Sequence, residues 1–154
     1  MTWLRMRRAS GAPLPSCSLP DGVKIMVVDE DLAPGCRELM NEVYGASEGE
    51  VPTPFARWWQ QLLADSEFDP ALCRAALSGN RVLGYCHGWR SPFVKDLVVA
   101  ADFRGRGLAS AMLTQLLCDY DRRNAAFVDL KTNVENLTAQ RLYRRFGFEE
   151  VERI

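Results

Sequence analysis

Apolar and polar residues alternate along the chain in patterns that predict a succession of short strands and helices. Residues 23–28 are a β-branched run typical of a strand, and residues 32–44 carry apolar side chains at helical spacing. A second helix is predicted from Pro54, because the threonine before it is a good N-cap and proline suits the first helical position. Trp58 and Trp59 stand at helical spacing in this helix, and we interpret them as core residues.

The rest of the chain continues the alternation. Gly79 and Asn80 tolerate the positive φ of a tight turn, so residues 71–77 and 81–89 are predicted to form a hairpin. The later predicted elements are a strand at residues 93–99, a helix at 107–123, a strand at 127–130, a helix at 136–146 and a strand at 148–154. This order predicts one domain with a mixed α/β sheet over residues 22–154.

Residues 1–21 show no periodic apolar face. They contain Pro13, Pro15 and Pro20 together with serine and glycine, a composition typical of disorder. We therefore expect a disordered leader before the domain.

The composition narrows the functional classes. A chain of 154 residues with 47% hydrophobic residues can bury the core of one domain. Its net charge of -1 gives no strong field to attract nucleic acid or an anionic membrane. No run approaches the roughly 18 apolar residues of a membrane span, and no apolar signal segment follows the N-terminal arginines, so we expect a cytoplasmic protein. Five dispersed cysteines without a C-x-x-C pair predict reduced, mostly buried thiols and no metal site.

The turn before the helix at residues 107–123 has the features of a phosphate site. The first N–H groups of a helix have no intrahelical acceptor, and the helix dipole favours an anion there. Gly105 and Gly107 remove side-chain bulk from this turn, and Arg104 and Arg106 could bind a further phosphate. The sequence therefore predicts a pyrophosphate cradle at residues 104–109.

Two other nucleotide sites are compatible with glycines in a turn. Gly105, Gly107 and Ser110 approximate a dinucleotide fingerprint, with Asp129 about twenty residues later as the ribose acid. Four residues intervene between strand and loop, however, and few residues remain after Asp129 to build a parallel sheet. A Walker pattern is absent from the sequence, because no Gly-Lys-Ser/Thr occurs.

Residues 96–148 resemble the GNAT superfamily of acetyl-CoA-dependent N-acetyltransferases in two separate motifs. The family's Q/R-x-x-G-x-G/A loop is matched by Arg104, Gly107 and Ala109. Its N-x-x-A-x-x-x-Y pattern with a following G-F is matched by Asn136, Ala139, Tyr143, Gly147 and Phe148. The resemblance implies a mixed, mostly antiparallel twisted sheet flanked by helices on both faces, with a shortened C-terminal edge.

The resemblance also implies roles for individual residues. Tyr143 would be the general acid that protonates the departing CoA thiolate, a task that suits a phenol. Acetyl-CoA would be held by the main chain of one strand, the amides of the loop and one helix-capping asparagine; these residues are Leu97, Val98, Val99, Arg104, Gly105, Arg106, Gly107, Leu108, Ala109 and Asn136. The acceptor would be the primary amine of a small molecule or a peptide.

A base is also needed, because an alkylammonium must lose a proton before its nitrogen attacks. Asp96 is the candidate, and a solvent-facing carboxylate at a strand end is the alternative interpretation. His87 is the one histidine, and strand alternation places it with Tyr85 and Trp89 as a structural residue. Residues 29–69 carry ten acids and two arginines. This excess of negative charge would favour a cationic acceptor such as an aminoglycoside or polyamine. The alternative interpretation is that these acids lie on ordinary solvent-exposed helix faces.

The C-terminus is shorter than in most members of the family, which continue into one more strand. An uncovered sheet edge invites pairing, so we expect residues 148–154 to pair beside the strand at Phe127 or to contact a second copy of the chain. The alternative to an enzyme is a non-catalytic acyl-CoA-binding regulatory module, which would keep the loop and transfer nothing.

Overall fold

The computed structural model describes residues 2–154, which form one seven-stranded sheet with helices on both faces. The strands are β1 (Trp3–Ala9), β2 (Lys24–Val27), β3 (Phe68–Ser78), β4 (Arg81–Trp89), β5 (Phe93–Val99), β6 (Phe127–Asn133) and β7 (Glu149–Arg153). The helices are α1 (Ala33–Glu48), α2 (Phe55–Ala64), α3 (Leu108–Arg122) and α4 (Leu137–Arg145), with a 3-10 turn at Ala101–Phe103. The strand order is β2-β3-β4-β5-β6-β1-β7. The predicted α/β fold is confirmed.

Two apolar cores lie on opposite faces of the sheet. On one face α3 packs Met112 and Leu116 against the sheet, and Phe146 and Phe148 close this core near α4. On the other face α1 and α2 pack against the side of β4 that carries Tyr85. Helices on both faces explain why β4 is buried along most of its length.

The expectation of a disordered leader is wrong for residues 3–9, which form β1 inside the sheet. Leu4, Met6 and Arg8 alternate toward the α3 face and are 0 to 2% exposed. Arg8 is tolerated there because its guanidinium donates to Asp121 and to the carbonyl oxygen of Ala12. Residues 10–21 form neither helix nor strand, and residue 1 lies outside the described residues.

Strand β1 also places two arginines on the opposite face, where they share one buried carboxylate. The Nε atoms of Arg5 and Arg7 each lie 2.7 Å from a different oxygen of Asp129, whose side chain is 1% exposed. Burial raises the pKa of Asp129, but hydrogen bonds from Arg7 and Arg5 outweigh it and hold the pKa below its ordinary value.

The expected pairing of the C-terminal strand with the Phe127 strand is wrong, because β1 lies between them. β1 pairs antiparallel with β6 on one side and with β7 on the other. β1 therefore covers the edge of β6, and β7, exposed throughout, is the outer strand.

The parallel pair of β5 and β6 is short. Only Phe93 with Asp129 and Val94 with Leu130 are in register, so the two strands separate beyond these positions. On its other side β5 stays paired with β4 up to Val99. The register against β4 shifts at Lys95, the extra residue of a β-bulge that bends β5 near the point of separation.

Candidate functional site

A cleft of about 900 Å³ opens where β5 and β6 separate, and α1, α2 and α4 contribute to its walls. Four of the residues predicted from sequence line it together, namely Asp96, Leu97, Asn136 and Tyr143. Val98, Val99 and the loop at residues 104–109 lie outside the lining. The cleft thus brings together both residues predicted to be catalytic.

One edge of β5 faces the gap without a partner strand. Beyond Val94, no residue of β6 is in register with β5, although β4 pairs with β5 as far as Val99. Arg104 Nε donates to the Val99 carbonyl oxygen at 3.4 Å, so that end of the edge is partly occupied. An extended chain entering the gap can pair with the remaining main-chain groups.

The predicted phosphate loop has the left-handed backbone conformation that its glycines suggest. Gly105 and Gly107 have φ of 78° and 80°, the left-handed region that favours glycine. Gly107 is the N-cap of α3, and its carbonyl accepts from the Ala111 amide at 3.0 Å, the first bond of the helix. The amides of residues 108–110 precede that bond and have no intrahelical acceptor.

The two loop arginines contact the protein itself. Arg104 donates to the Val99 carbonyl oxygen, and the Arg106 guanidinium lies 4.6 Å from the Phe103 ring centroid. Both side chains are exposed, so their remaining N–H groups stay available to an anion beside the backbone amides.

Asp96 lies at the centre of the cleft in a group of polar side chains. The Tyr44 hydroxyl on α1 donates to Asp96 Oδ1 at 2.5 Å, and His87 Nδ1 lies 3.9 Å from Oδ2. Burial raises the pKa of Asp96, but His87, Lys95 and the Tyr44 hydrogen bond together hold the pKa below its ordinary value. Asp96 is thus a partly buried carboxylate, 14% exposed at its side chain, rather than a fully solvent-facing one.

Tyr44 was not recognised from the sequence. It lies 52 residues before Asp96, in a part of α1 whose apolar spacing predicts only a helix. No local signal indicates that its hydroxyl contacts β5.

His87 occupies the structural position expected from alternation. It is 2% exposed, opposite Asp96 in the β4–β5 register, with the Tyr85 and Phe68 rings at 6.3 and 5.8 Å. Its Nε2 atom is buried and has no hydrogen-bond partner within residues 2–154. The imidazole lines the cleft beside Asp96, so it borders the site as well as the core.

Tyr143 and Asn136 occupy α4 as the sequence motif requires. Asn136 caps the helix by accepting from the Ala139 amide at 3.1 Å. Tyr143 is held by an edge-on contact with the Phe148 ring at 5.9 Å. Burial, together with Cys86 and Asp96, raises the pKa of Tyr143, so its hydroxyl keeps its proton at neutral pH.

The charges around the cleft are balanced. Four carboxylates line it, from Glu48, Glu50, Asp65 and Asp96. Four cations line it as well, from Arg5, Arg37, Lys95 and Lys131. Residues 29–69 supply three of these carboxylates and one of these cations, so part of their acid excess does reach the cleft, where Lys95 and Lys131 offset it.

Trp58 packs in the core, as predicted, and also borders the cleft. Its indole packs against the core beside Tyr85, with ring centroids 6.2 Å apart, and the same side chain lines the cleft. Asp129, the candidate ribose acid of a dinucleotide site, is instead bound to Arg5 and Arg7. Its carboxylate is therefore occupied by two ion pairs with β1 inside the sheet.

Neither a cluster of metal-ligating side chains nor a membrane-spanning helix is found among residues 2–154. Residues 2–154 contain no group of three histidine, cysteine, aspartate or glutamate side chains able to hold a metal ion. Across the same residues, every helix is too short or too polar to span a bilayer.

The chain is similar to known acetyltransferases along its length. It is 27% identical over 153 residues to a GCN5-like protein acetyltransferase of Mycobacterium tuberculosis, covering 98% of this chain and 70% of that protein. Over 59 residues it is 37% identical to an uncharacterized N-acetyltransferase of Methanocaldococcus jannaschii, covering 38% of this chain and 26% of that one. The crystal structure of a GCN5-related N-acetyltransferase from Sphaerobacter thermophilus superposes with a TM-score of 0.78 at 26% identity, covering 99% of this chain and 49% of that one.

The family assignment follows from a match that covers most of the cleft-forming elements. The model of the acetyltransferase (GNAT) family matches residues 33–148, from the start of α1 to Phe148. The match contains both motifs and the separated strands β5 and β6. This chain belongs to the acetyltransferase (GNAT) family.

Proposed function

We propose that the chain transfers an acetyl group from acetyl-CoA to the primary amine of a small molecule or peptide, by direct attack in a ternary complex. The observation that carries this proposal is the separation of β5 from β6 beside the start of α3. It opens a cleft that reaches both Asp96 and Tyr143.

The residues around this gap fit coenzyme A. The unpaired edge of β5 at residues 97–99 suits the amides and carbonyls of a pantetheine arm, which would add to the sheet like a strand. The amides at the start of α3 suit a pyrophosphate, and Gly105 leaves the space beside them open. Asn136, beside Tyr143 in the cleft lining, would meet the arm near its thioester end.

Asp96 and Tyr143 divide the proton transfers in this proposal. Acetyl-CoA supplies an activated thioester carbon. Asp96, ionised at neutral pH because its pKa is low, would attract the acceptor ammonium and take its proton directly or through a water. Tyr143, which stays protonated, would donate its proton to the departing thiolate.

Thiol release from acetyl-CoA tests the proposal. We would measure it against matched panels of cationic, neutral and zwitterionic amines, peptides and aminoglycosides. Amine-dependent release, with an acetylated product identified by mass, is the expected result. Stabilisation by acetyl-CoA without release for any amine would favour a non-catalytic acyl-CoA-binding module instead.

A further inference from the structure

Arg37 is a nearly buried cation in the wall of the cleft and has no carboxylate partner. The residue is 9% exposed and lies on α1. Its Nε atom donates to Asn41 Oδ1 at 3.0 Å. Within residues 2–154, no carboxylate oxygen lies within 4.0 Å of its guanidinium. Burying a charge without a counter-charge is unfavourable, so this arrangement calls for a compensating group.

The surroundings of Arg37 hold its guanidinium in one place. Asn41 both accepts from the Thr53 amide at 3.0 Å and donates to the Thr53 carbonyl at 2.9 Å, which fixes the amide that binds Arg37. The guanidinium also lies 5.5 Å from the Trp58 ring centroid. Arg37 is therefore oriented before any ligand arrives.

The two Nη groups of Arg37 remain free to bind a ligand. They donate to no residue among 2–154, and they are not among the fully buried polar atoms that lack a partner. They therefore reach the solvent of the cleft, whose lining includes Arg37. A guanidinium fork fixed at Nε presents its other donors in the geometry that a carboxylate accepts.

Arg37 and Asp96 stand at different places in the cleft. Tyr44, which binds Asp96, follows Arg37 by seven residues on α1, about two turns or roughly 10 Å along the helix axis. An acceptor whose ammonium meets Asp96 can therefore place a second group near Arg37.

We infer that Arg37 binds a carboxylate of the acceptor, so that the preferred acceptors are amines that carry a carboxylate, amino acids or peptides, rather than polycations. This inference rests on the proposed acetyl transfer and narrows its substrate class. Arg37 acts as a specificity-determining residue at the far side of the cleft from the reacting atoms.

The test compares acceptors that differ only in this carboxylate. We would measure kcat/KM for a series of α,ω-amino acids and lysine, each beside its carboxamide, with the normal protein, Arg37→Met and the control Arg57→Met. Arg57 is exposed on α2 and outside the cleft lining. The normal protein and the Arg57 variant should prefer the carboxylate about 10- to 100-fold, as expected for a charge-assisted bidentate pair.

Arg37→Met should lose most of this preference by lowering kcat/KM for the acids, while the amides change by less than about 2-fold. Equal use of acid and amide by the normal protein would overturn the inference. An equal loss of kcat/KM for the acid and the amide in Arg37→Met would also overturn the inference. That result would mean that Arg37 only supports the positions of Asn41 and Thr53.

A binding measurement separates this inference from the proposed reaction. If no amine is acetylated, we would compare the thermal stabilisation of the CoA complex by an amino acid and by its carboxamide. Greater stabilisation by the acid, lost in Arg37→Met, supports the carboxylate site without catalysis. Equal stabilisation by the acid and by its carboxamide would reject the carboxylate site at Arg37.

Discussion

The Tyr44 hydroxyl donates a hydrogen bond of 2.5 Å to Asp96, and this bond joins α1 to β5 across the cleft. The contact stabilises the ionised carboxylate and is one of the causes that lower the pKa of Asp96. Tyr44 therefore acts together with His87 and Lys95 in keeping Asp96 ionised.

Tyr44→Phe should raise the pKa of Asp96, because the ionised carboxylate loses a hydrogen bond. If Asp96 must be ionised for transfer, the acidic limb of the kcat/KM profile then shifts to higher pH. The profile is measured with a neutral reporter amine whose own titration lies outside the range. An unshifted limb would show that the ionisation of Asp96 does not control turnover.

Tyr143→Phe should lower kcat by about 10²- to 10⁴-fold, the usual contribution of a general acid. Affinity for acetyl-CoA should change little, because the ring contact with Phe148 is kept. Single-turnover kinetics and calorimetric titration with CoA measure the two effects separately. Unchanged turnover would contradict the acid role.

Gly107→Ala should reduce the thermal stabilisation by acetyl-CoA, because alanine disfavours the left-handed backbone that presents the amides at the start of α3. The strain at φ of 80° is about 1–2 kcal/mol, whereas the added methyl group itself has room, 3.9 Å from the Ser18 carbonyl oxygen. Gly79→Ala, at φ of 58° in the β3–β4 turn, is the matched control with similar strain and no predicted ligand. Equal stabilisation of both variants by acetyl-CoA would place the pyrophosphate elsewhere.

Asp129→Asn should destabilise the protein at neutral pH by about 1.5–3 kcal/mol, the contribution of hydrogen bonds to a charged group. Because the folded pKa of Asp129 is lowered, its stabilisation is complete above the ordinary pKa of 3.8 and is lost as the pH falls through the folded value.

The difference in unfolding free energy between the normal protein and Asp129→Asn should therefore shrink in acid. Urea titrations at pH 7 and at several values from pH 4 down to pH 2 measure it, with the exposed Asp21→Asn as control. A difference that stays constant with pH would contradict the assignment.

Met6→Ala should cost about 2–5 kcal/mol, because Met6 is fully buried in the core under α3. Met26→Ala makes the same chemical change on β2, where the side chain is 48% exposed, and should cost less than about 0.5 kcal/mol. Chemical denaturation compares the two. Similar costs would mean that β1 is not an integral strand of the sheet.

Periodicity predicted the elements from residue 23 onward because their apolar faces are regular. It missed β1, where Arg5, Arg7 and Arg8 obscure the alternation of Leu4 and Met6. The arginine that faces the core is neutralised by Asp121, 113 residues away, and no local pattern contains that information.

In the candidate site, too, local patterns predicted some residues and missed those that depend on distant partners. The loop glycines and Tyr143 belong to local sequence motifs and were therefore predicted. Tyr44 and Arg37 could be recognised only from their contacts with residues on other elements. In the sequence Arg37 is one more charge on a helix; in the fold it is a buried cation with which no carboxylate of residues 2–154 forms a salt bridge.

The first and last strands of the sheet lie side by side, with two main-chain bonds between Trp3 and Ile154. Both neighbours of β1 in the sheet, β6 and β7, lie more than a hundred residues further along the chain. Contacts between such distant segments require the closure of a long loop, so the docking of β1 is expected to be a slow step of folding.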